Sequence, residues 1–512
     1  MSHRPAKPKL PFGRLVLGLV IIGVLVAVWQ VGFGGEEEKD QAKPVFLDSP
    51  TPSPEPHKPR RLHAATQPAA AEPINPDFPG LTTFRGNLTR TYYGEGPVPK
   101  HPKVLWRYPE TGGMCGVSTD GTETKQWCGT GWNGQPTVVP QKDGSVEIRF
   151  GAYDYGYHFL NGRTGNEVHS TLRTGDLAKG SSTSDPDGYP LHYGGSRDNE
   201  LRVIALDRQK PKELWSVNAE TSVPNPVWNN DWDAAPLIVG DYLLEGSENS
   251  WFYVIKLNRD YDKAGKVTVD PRIVATVPGY DGALMAQIPD TDVSIESSVA
   301  YDDGIAYFGN SGGLIQGWDV SNTLKGGAKP RRVFRFWMGG ENDASVVIDH
   351  GGFLYASSHF EPGDGRARKI GQLVKLDPRR KSNPVKWSVD ATQPVDGDGG
   401  FFATPAIYGD MIYAASNSGE LMGIDKDTGK VKWEVSLVPP VWSSPAVVDD
   451  VLVIGDCGGT VHGFDVSNPA KKPRKLWDVK LGSCIESTPA IWHGMIYIGS
   501  RGGAMFGLGD KR

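Results

Sequence analysis

The sequence predicts an all-β protein, a β-propeller of about eight blades, and three observations carry that reading. The chain has 512 residues with 64 glycines and 40 prolines, a turn-rich composition that suits many short strands. From about residue 100 onward it repeats itself at a period of roughly 45 residues, the length of a four-stranded blade. The last copy stops one strand short, while a strand of the same pattern stands ahead of the first copy, so the ring of blades can close without a free edge.

The elements follow in chain order. Residues 1–14 carry Arg4, Lys7, Lys9 and Arg14 and read as a basic cytoplasmic tail. Residues 15–35, LVLGLVIIGVLVAVWQVGFGG, are uncharged, and about 21 residues at roughly 1.5 Å each span roughly 30 Å of hydrocarbon. Glu36, Glu37 and Glu38 follow, so the charge asymmetry places the rest of the chain outside a cell membrane it crosses once, in a periplasm or outside the cell. Trp29 suits the outer interface. A cleaved signal peptide is the rival, but the apolar run is longer than a usual signal core and no Ala-x-Ala-like site follows it. Residues 36–95 are dense in proline and poor in large apolar groups, and read as a disordered spacer.

Residues 96–512 form the propeller. The clearest copy is FFATPAIYGDMIYAASNSGELMGIDKDTGKVKWEV, Phe401 to Val435. Alternating apolar positions broken by Gly-Asp read as two antiparallel strands and a tight turn, and the SGE and TGK turns introduce the third and fourth. Trp337, Trp387, Trp433 and Trp477 mark the ends of four consecutive copies and read as blade packing, because they recur with the repeat. The early copies are looser: His169 stands where the tryptophan belongs, Trp215 restores it, and the copy beginning at Asp233 is lengthened around Asp260 to Asp270. KVLWRYP, with Trp106, supplies the missing outer strand of the last blade, so truncation before about residue 95 is expected to be harmless and truncation past Trp106 damaging.

DKDTGKVKW, preceded by GDMIYAASNSGEL, resembles the repeat of the pyrroloquinoline quinone (PQQ) propeller family. The resemblance covers roughly residues 100 to 512 and is specific in the last five blades. It implies the propeller fold. The family includes quinone-dependent alcohol dehydrogenases and also the propeller lipoprotein of the outer-membrane β-barrel assembly machinery, which binds no cofactor, so it implies no single activity.

Four cysteines in an outward-facing chain suit two disulfides, Cys115 with Cys128 and Cys457 with Cys484. Metal ligation competes, but there is no CxxC and no histidine at ligand spacing beside either pair. None of the four is adjacent to another, unlike the paired cysteines beside the quinone in the dehydrogenases that the family resemblance brings in.

Aligning the small-residue pattern that opens each inner strand leaves one variable position per blade to ring the channel mouth: Asn133, Asp187, Asp233, Glu296, Asp343, Phe402, Trp442 and Glu486. Converging carboxylates would need a cation, hydrogen bonds or protonation. Ca²⁺ suits such an oxygen-rich set, and Phe402 with Trp442 offers a flat face to PQQ or another ring. The plainer reading has these acids accept hydrogen bonds from backbone N–H groups of the next blade or from hydroxyls such as Ser297, Ser298, Ser487 and Thr488. Trp228, Asn230 and Trp232 on the same face line a pocket or fill the space between blades. His158, His192, His359, His462 and His493 are scattered, with no partner spacing that suggests a triad or a metal site.

A formal charge of -6 leaves nucleic acid without an electrostatic footprint. Three functions remain: an extracytoplasmic binding or scaffold domain for a protein or cell-envelope partner, with no cofactor, a PQQ-dependent oxidoreductase with Ca²⁺ at the mouth, or a cation-stabilised structural propeller with no partner. No sequence motif requires catalysis.

Overall fold

The computed structural model describes residues 71–120, 123–360, 365–391 and 399–511. The tail 1–14, the apolar segment 15–35 and the spacer up to residue 70 lie outside the described residues. Among the described residues no helix is long and apolar enough to cross a membrane.

The clearest repeat folds as its pattern predicts. Strands Ala406–Tyr408, Met411–Ala415, Glu420–Asp425 and Val431–Ser436 pair antiparallel in sequence order. The DKDTGK turn is built by Asp425, whose carboxylate accepts from the backbone N–H of Thr428 and from its hydroxyl, while Gly429 takes φ 72°, a region open to glycine at no steric cost.

Seven sheets of four strands and one of five make eight blades. The five-stranded sheet is the closing one. Lys103–Tyr108 pairs with the last strand, Ala504–Gly509, setting Trp106 opposite Gly507, so the composite blade expected from the sequence is present. Inner strands of neighbouring blades lie side by side, and Ala490–Trp492 of the last blade meets Thr137–Pro140 of the first, which closes the ring.

Two devices hold blade to blade. The fourth-strand tryptophan lies flat over a glycine of the third strand: a Cβ on Gly423, Gly463 or Gly507 would fall within 2.3 Å of Trp433, Trp477 or Trp106. The same tryptophan can reach the Thr-Gly turn of the following blade, as Trp106 Nε1 donates to Gly162 O and Trp387 Nε1 to Lys426 O. In the fourth blade the position opposite Gly317 belongs to Phe334, and Trp337 sits three residues further on with Nε1 on Gly312 O. In the first blade His169 faces Phe159, in the place of the tryptophan.

The second device is a hydroxyl ring. The backbone N–H groups of Gln135, Ala235, Ser298, Ser345, Thr404 and Ser444 each donate to a hydroxyl of the next blade, respectively Ser181, Ser298, Ser345, Thr404, Ser444 and Thr488. Thr488 donates to Asn133 O of the first blade, and between the second and third blades Thr183 Oγ1 donates to Pro236 O instead. Ser297, Ser298, Ser487 and Thr488 serve the backbone rather than the mouth acids, while Glu296 accepts from the Ser294 hydroxyl and Glu486 from the Trp132 backbone N–H.

The spacer expectation fails for residues 71–95. This stretch enters the ring and touches the inner strand of every blade. Leu81 pairs with Val138, Thr82 O accepts from Ser184, Thr83 Oγ1 donates to Pro236 O, and Leu88 O and Thr89 O accept from Tyr301 and Ile348. Arg85 donates to Pro405 O and Pro445 O, and Gly94–Glu95 runs parallel to Ala490–Trp492. Arg85 and Arg90 are both 0% exposed. Burial lowers the Arg90 guanidinium to about 9, still charged at neutral pH, and it donates to Val299 O, Phe84 O and Thr83 Oγ1. The physical reason for the miss is that the plug is held by arginine and backbone polar groups, which hydropathy counts against folding.

Candidate functional site

Each inner strand begins four residues after a mouth position. Asn133, Asp233, Glu296, Asp343, Phe402, Trp442 and Glu486 precede strands that start at Thr137, Leu237, Ala300, Val347, Ala406, Ala446 and Ala490. In the second blade the inner strand is Thr183–Ser184, so the mouth residue is Lys179, not Asp187. Asp187 lies beyond that strand, bonded to Arg259 and Asn75. The short second-blade strand lacks the proline that marks most of the others, and the alignment slipped past the small residues Gly180 to Ser182.

That correction places a cation where an acid was expected. Lys179 Nζ lies 2.6 Å from Asp233, 3.1 Å from Glu248 and 3.2 Å from Asp231, and Arg197 Nε is 3.1 Å from Asp231. The acids are buried. Burial pushes Asp231 up to about 7 and Asp233 well above the usual carboxylate range, with neighbouring acids adding to the effect against the pull of Lys179. The same ammonium, raised by Asp233, Glu248 and Asp231 against the cost of its burial, stands 5.0 Å over the Trp132 ring.

Trp132 and Asn133, at φ 55° and 56°, bridge the mouth. Trp132 Nε1 donates to Glu296, whose other oxygen accepts from Ser294, and Asn133 Nδ2 donates across to Phe402 O. Glu486 takes the Trp132 backbone N–H and pairs with Arg501 at 2.9 Å. Arg501 also donates to Cys128 O and to Cys484 O, tying the mouth to both disulfides, Cys115–Cys128 and Cys457–Cys484. Phe402 meets Trp442 at 5.6 Å. Each of the mouth carboxylates Asp233, Glu296, Asp343 and Glu486 has a partner of its own, Lys179, Trp132, His359 and Arg501 respectively.

Of the other candidate pocket, Trp232 is packing. Trp232 is 1% exposed, packs tilted against Tyr253 and donates to Asn199 O, between the second and third blades. Trp228 and Asn230 are half-buried. Chain alternation sends Asp231 and Asp233 the opposite way, toward Lys179.

One group was not legible in the sequence. His359 Nε2 lies 3.1 Å from Asp343 and 3.7 Å from Glu341, and the ligand atoms of all three residues lie within 4.8 Å of one another. This corrects the view of the histidines as scattered. The weak signal was Glu341-x-Asp343, whose alternate side chains share one side of an extended chain. Asp231, Asp233 and Glu248 form a second such group, but there the Lys179 ammonium holds the place of a cation.

Residues 366–506 match the family model PQQ_2, outer membrane protein assembly factor BamB. Residues 366–506 therefore resemble PQQ-type repeats within an eight-bladed β-propeller. No curated protein matches the chain. Among solved structures the chain is similar to BamB from Moraxella catarrhalis, at 17% identity over 73% of this chain and 96% of the other, TM-score 0.50. It is similar also to the quinohemoprotein alcohol dehydrogenase from Comamonas testosteroni, at 13% identity over 85% and 81%, TM-score 0.54. A europium-containing methanol dehydrogenase gives 14% identity over 82% and 89%, TM-score 0.53. At these identities the likeness concerns the fold.

The quinone of such dehydrogenases does not fit the residues present. PQQ is a polycarboxylate, and the mouth carries Asp231, Asp233, Glu248, Glu296, Glu341, Asp343 and Glu486 around cations, Lys179, Arg197 and Arg501, that are already paired. Trp132 and Asn133 bridge the mouth to Glu296 and Phe402, and the cysteines pair across loops rather than with a neighbour.

Proposed function

We propose that this chain is a non-catalytic binding module of the cell envelope. In this reading the segment 15–35 anchors it in the membrane, and the propeller, outside the cytoplasm, presents its mouth face to a protein partner. The observation that supports it is that the mouth is bridged by its own side chains, Trp132 to Glu296 and Asn133 to Phe402, over a plugged channel. A face closed in this way offers loops rather than a reaction chamber. The name of the family model matched by residues 366–506, an assembly factor, favours a protein partner in the envelope.

The connections from each fourth strand to the next blade lie on this face, including the disulfide-bonded hairpin Cys115–Asp120 and Glu123–Cys128. Val117 and Val438 stand exposed on it, and Tyr261 is exposed on the opposite end of its blade. A photocrosslinking amino acid placed at Val117 or Val438 in cells is expected to trap one discrete protein, and the same probe at Tyr261 is expected not to. Purified protein titrated with PQQ and Ca²⁺ is expected to show no change in the quinone spectrum. Quinone binding with alcohol-dependent bleaching, and no crosslink from either mouth position, would favour the oxidoreductase instead.

A further inference from the structure

The two acidic groups at the mouth are built alike and satisfied differently. In one, Lys179 sits among Asp231, Asp233 and Glu248. In the other, Glu341, Asp343 and His359 are 3%, 8% and 1% exposed, and among the described residues no lysine or arginine lies within ion-pair distance of Asp343. Among the described residues the His359 imidazole is the ion-pair partner of Asp343, and burying unbalanced charge is costly.

The local chain arranges these donors. Glu341 and Asp343 point the same way from an extended segment. The His359 backbone N–H donates to Glu341 O at 3.0 Å, which sets the histidine beside them. Phe402 stacks on the imidazole at 3.8 Å and 14°, so the ring is held in place by an apolar wall. Two buried polar atoms of the group, Asp343 Oδ1 and His359 Nδ1, have no hydrogen-bond partner, although the protein satisfies most such atoms.

The spacing suits one small ion. Nitrogen and oxygen ligands bound at about 2.1 Å in tetrahedral geometry lie about 3.4 Å from each other. The separations from Nε2, 3.1 Å to Asp343 and 3.7 Å to Glu341, bracket that value. An imidazole with two carboxylates is a donor set for a borderline first-row divalent cation, whereas Ca²⁺ takes six to eight oxygens.

We propose that Glu341, Asp343 and His359 bind one divalent cation of the zinc class at the channel mouth. The site does not depend on whether the propeller is a binding module or an enzyme. It takes the role at the fifth blade that the Lys179 ammonium takes at the second and third.

The test uses the tag-free full-length chain, purified in detergent and stripped with chelator. Titration calorimetry with ZnCl₂ is expected to give one equivalent bound, Ca²⁺ in excess is expected not to compete, and Co²⁺ is expected to give the visible absorption of a histidine-ligated site. His359→Ala and Asp343→Asn are each expected to weaken Zn²⁺ binding by more than about 100-fold, beyond the loss of a mere outer-shell partner, while His493→Ala, which removes an exposed histidine, leaves it unchanged. Circular dichroism without metal shows whether each variant is folded, and the isosteric Asp343→Asn carries the test if His359→Ala does not fold. No stoichiometric binding, equal binding by the two site variants, or a preference for Ca²⁺ would overturn the proposal.

Discussion

Lys179 shows how one side chain can reverse the sign of a site. Its ammonium is buried among Asp231, Asp233 and Glu248, and removing one partner of a buried ionic group leaves uncompensated charge at a cost of about 3–5 kcal/mol. Lys179→Met is therefore expected to lower the unfolding free energy read from urea denaturation by that amount at neutral pH and by less in acid, where the carboxyls protonate. His462 is a second such residue. Burial lowers its pKa, but hydrogen bonds to Asp456 and Asp478 outweigh that and leave it raised. A raised histidine contributes stability that is complete below the ordinary value of about 6.5 and is lost as pH climbs through the folded value. His462→Asn is expected to flatten the fall of stability above about pH 6.5, read from denaturation midpoints across pH. Neither role is visible in the sequence, because Lys179 meets acids that stand 52, 54 and 69 positions away.

At the scale of the element, residues 71–95 matter most. The expectation that truncation before about residue 95 is harmless must be revised, since this stretch bonds to all eight inner strands and buries Arg85 and Arg90. A chain starting at residue 71 is expected to match one starting at residue 64 in thermal denaturation. A chain starting at residue 96 is expected to lose roughly 5 kcal/mol or more, since buried hydrogen bonds to charged groups contribute about 1.5–3 kcal/mol each. Equal melting of all three would sink the plug as a stabilising element. The blades were readable because their signals are local: period-two apolar alternation, Gly-Asp and Thr-Gly turns, and a tryptophan at a fixed offset from a third-strand glycine. The plug was not, because its bonds run to carbonyls of strands far along the chain and its own residues carry no periodicity.

For the whole molecule, closure is the dominant constraint. The ring is completed by Trp106 on Gly507 and by Thr488 on Asn133, so the two ends of the propeller stabilise one another. Arg501 joins both disulfides near that seam. Loops closed across 13 and 27 residues restrict the unfolded chain by about 3–4 kcal/mol each in the chain-entropy account. Reduction is expected to lower the melting temperature, and Cys457→Ser with Cys484→Ser to reproduce part of that loss; an unchanged transition under reductant would count against any stabilising role.

What the sequence alone determined was the blade, its number, the strand that closes the ring and the partners of the cysteines, since each rests on short-range patterns repeated along the chain. What only the tertiary structure decided was the mouth and the plug. Eight inner strands converge on one axis there, and the partner of a buried charge is set by which blades face each other across it. Lys179 among its acids, Trp132 reaching Glu296, and His359 beside Glu341 and Asp343 are all products of that convergence.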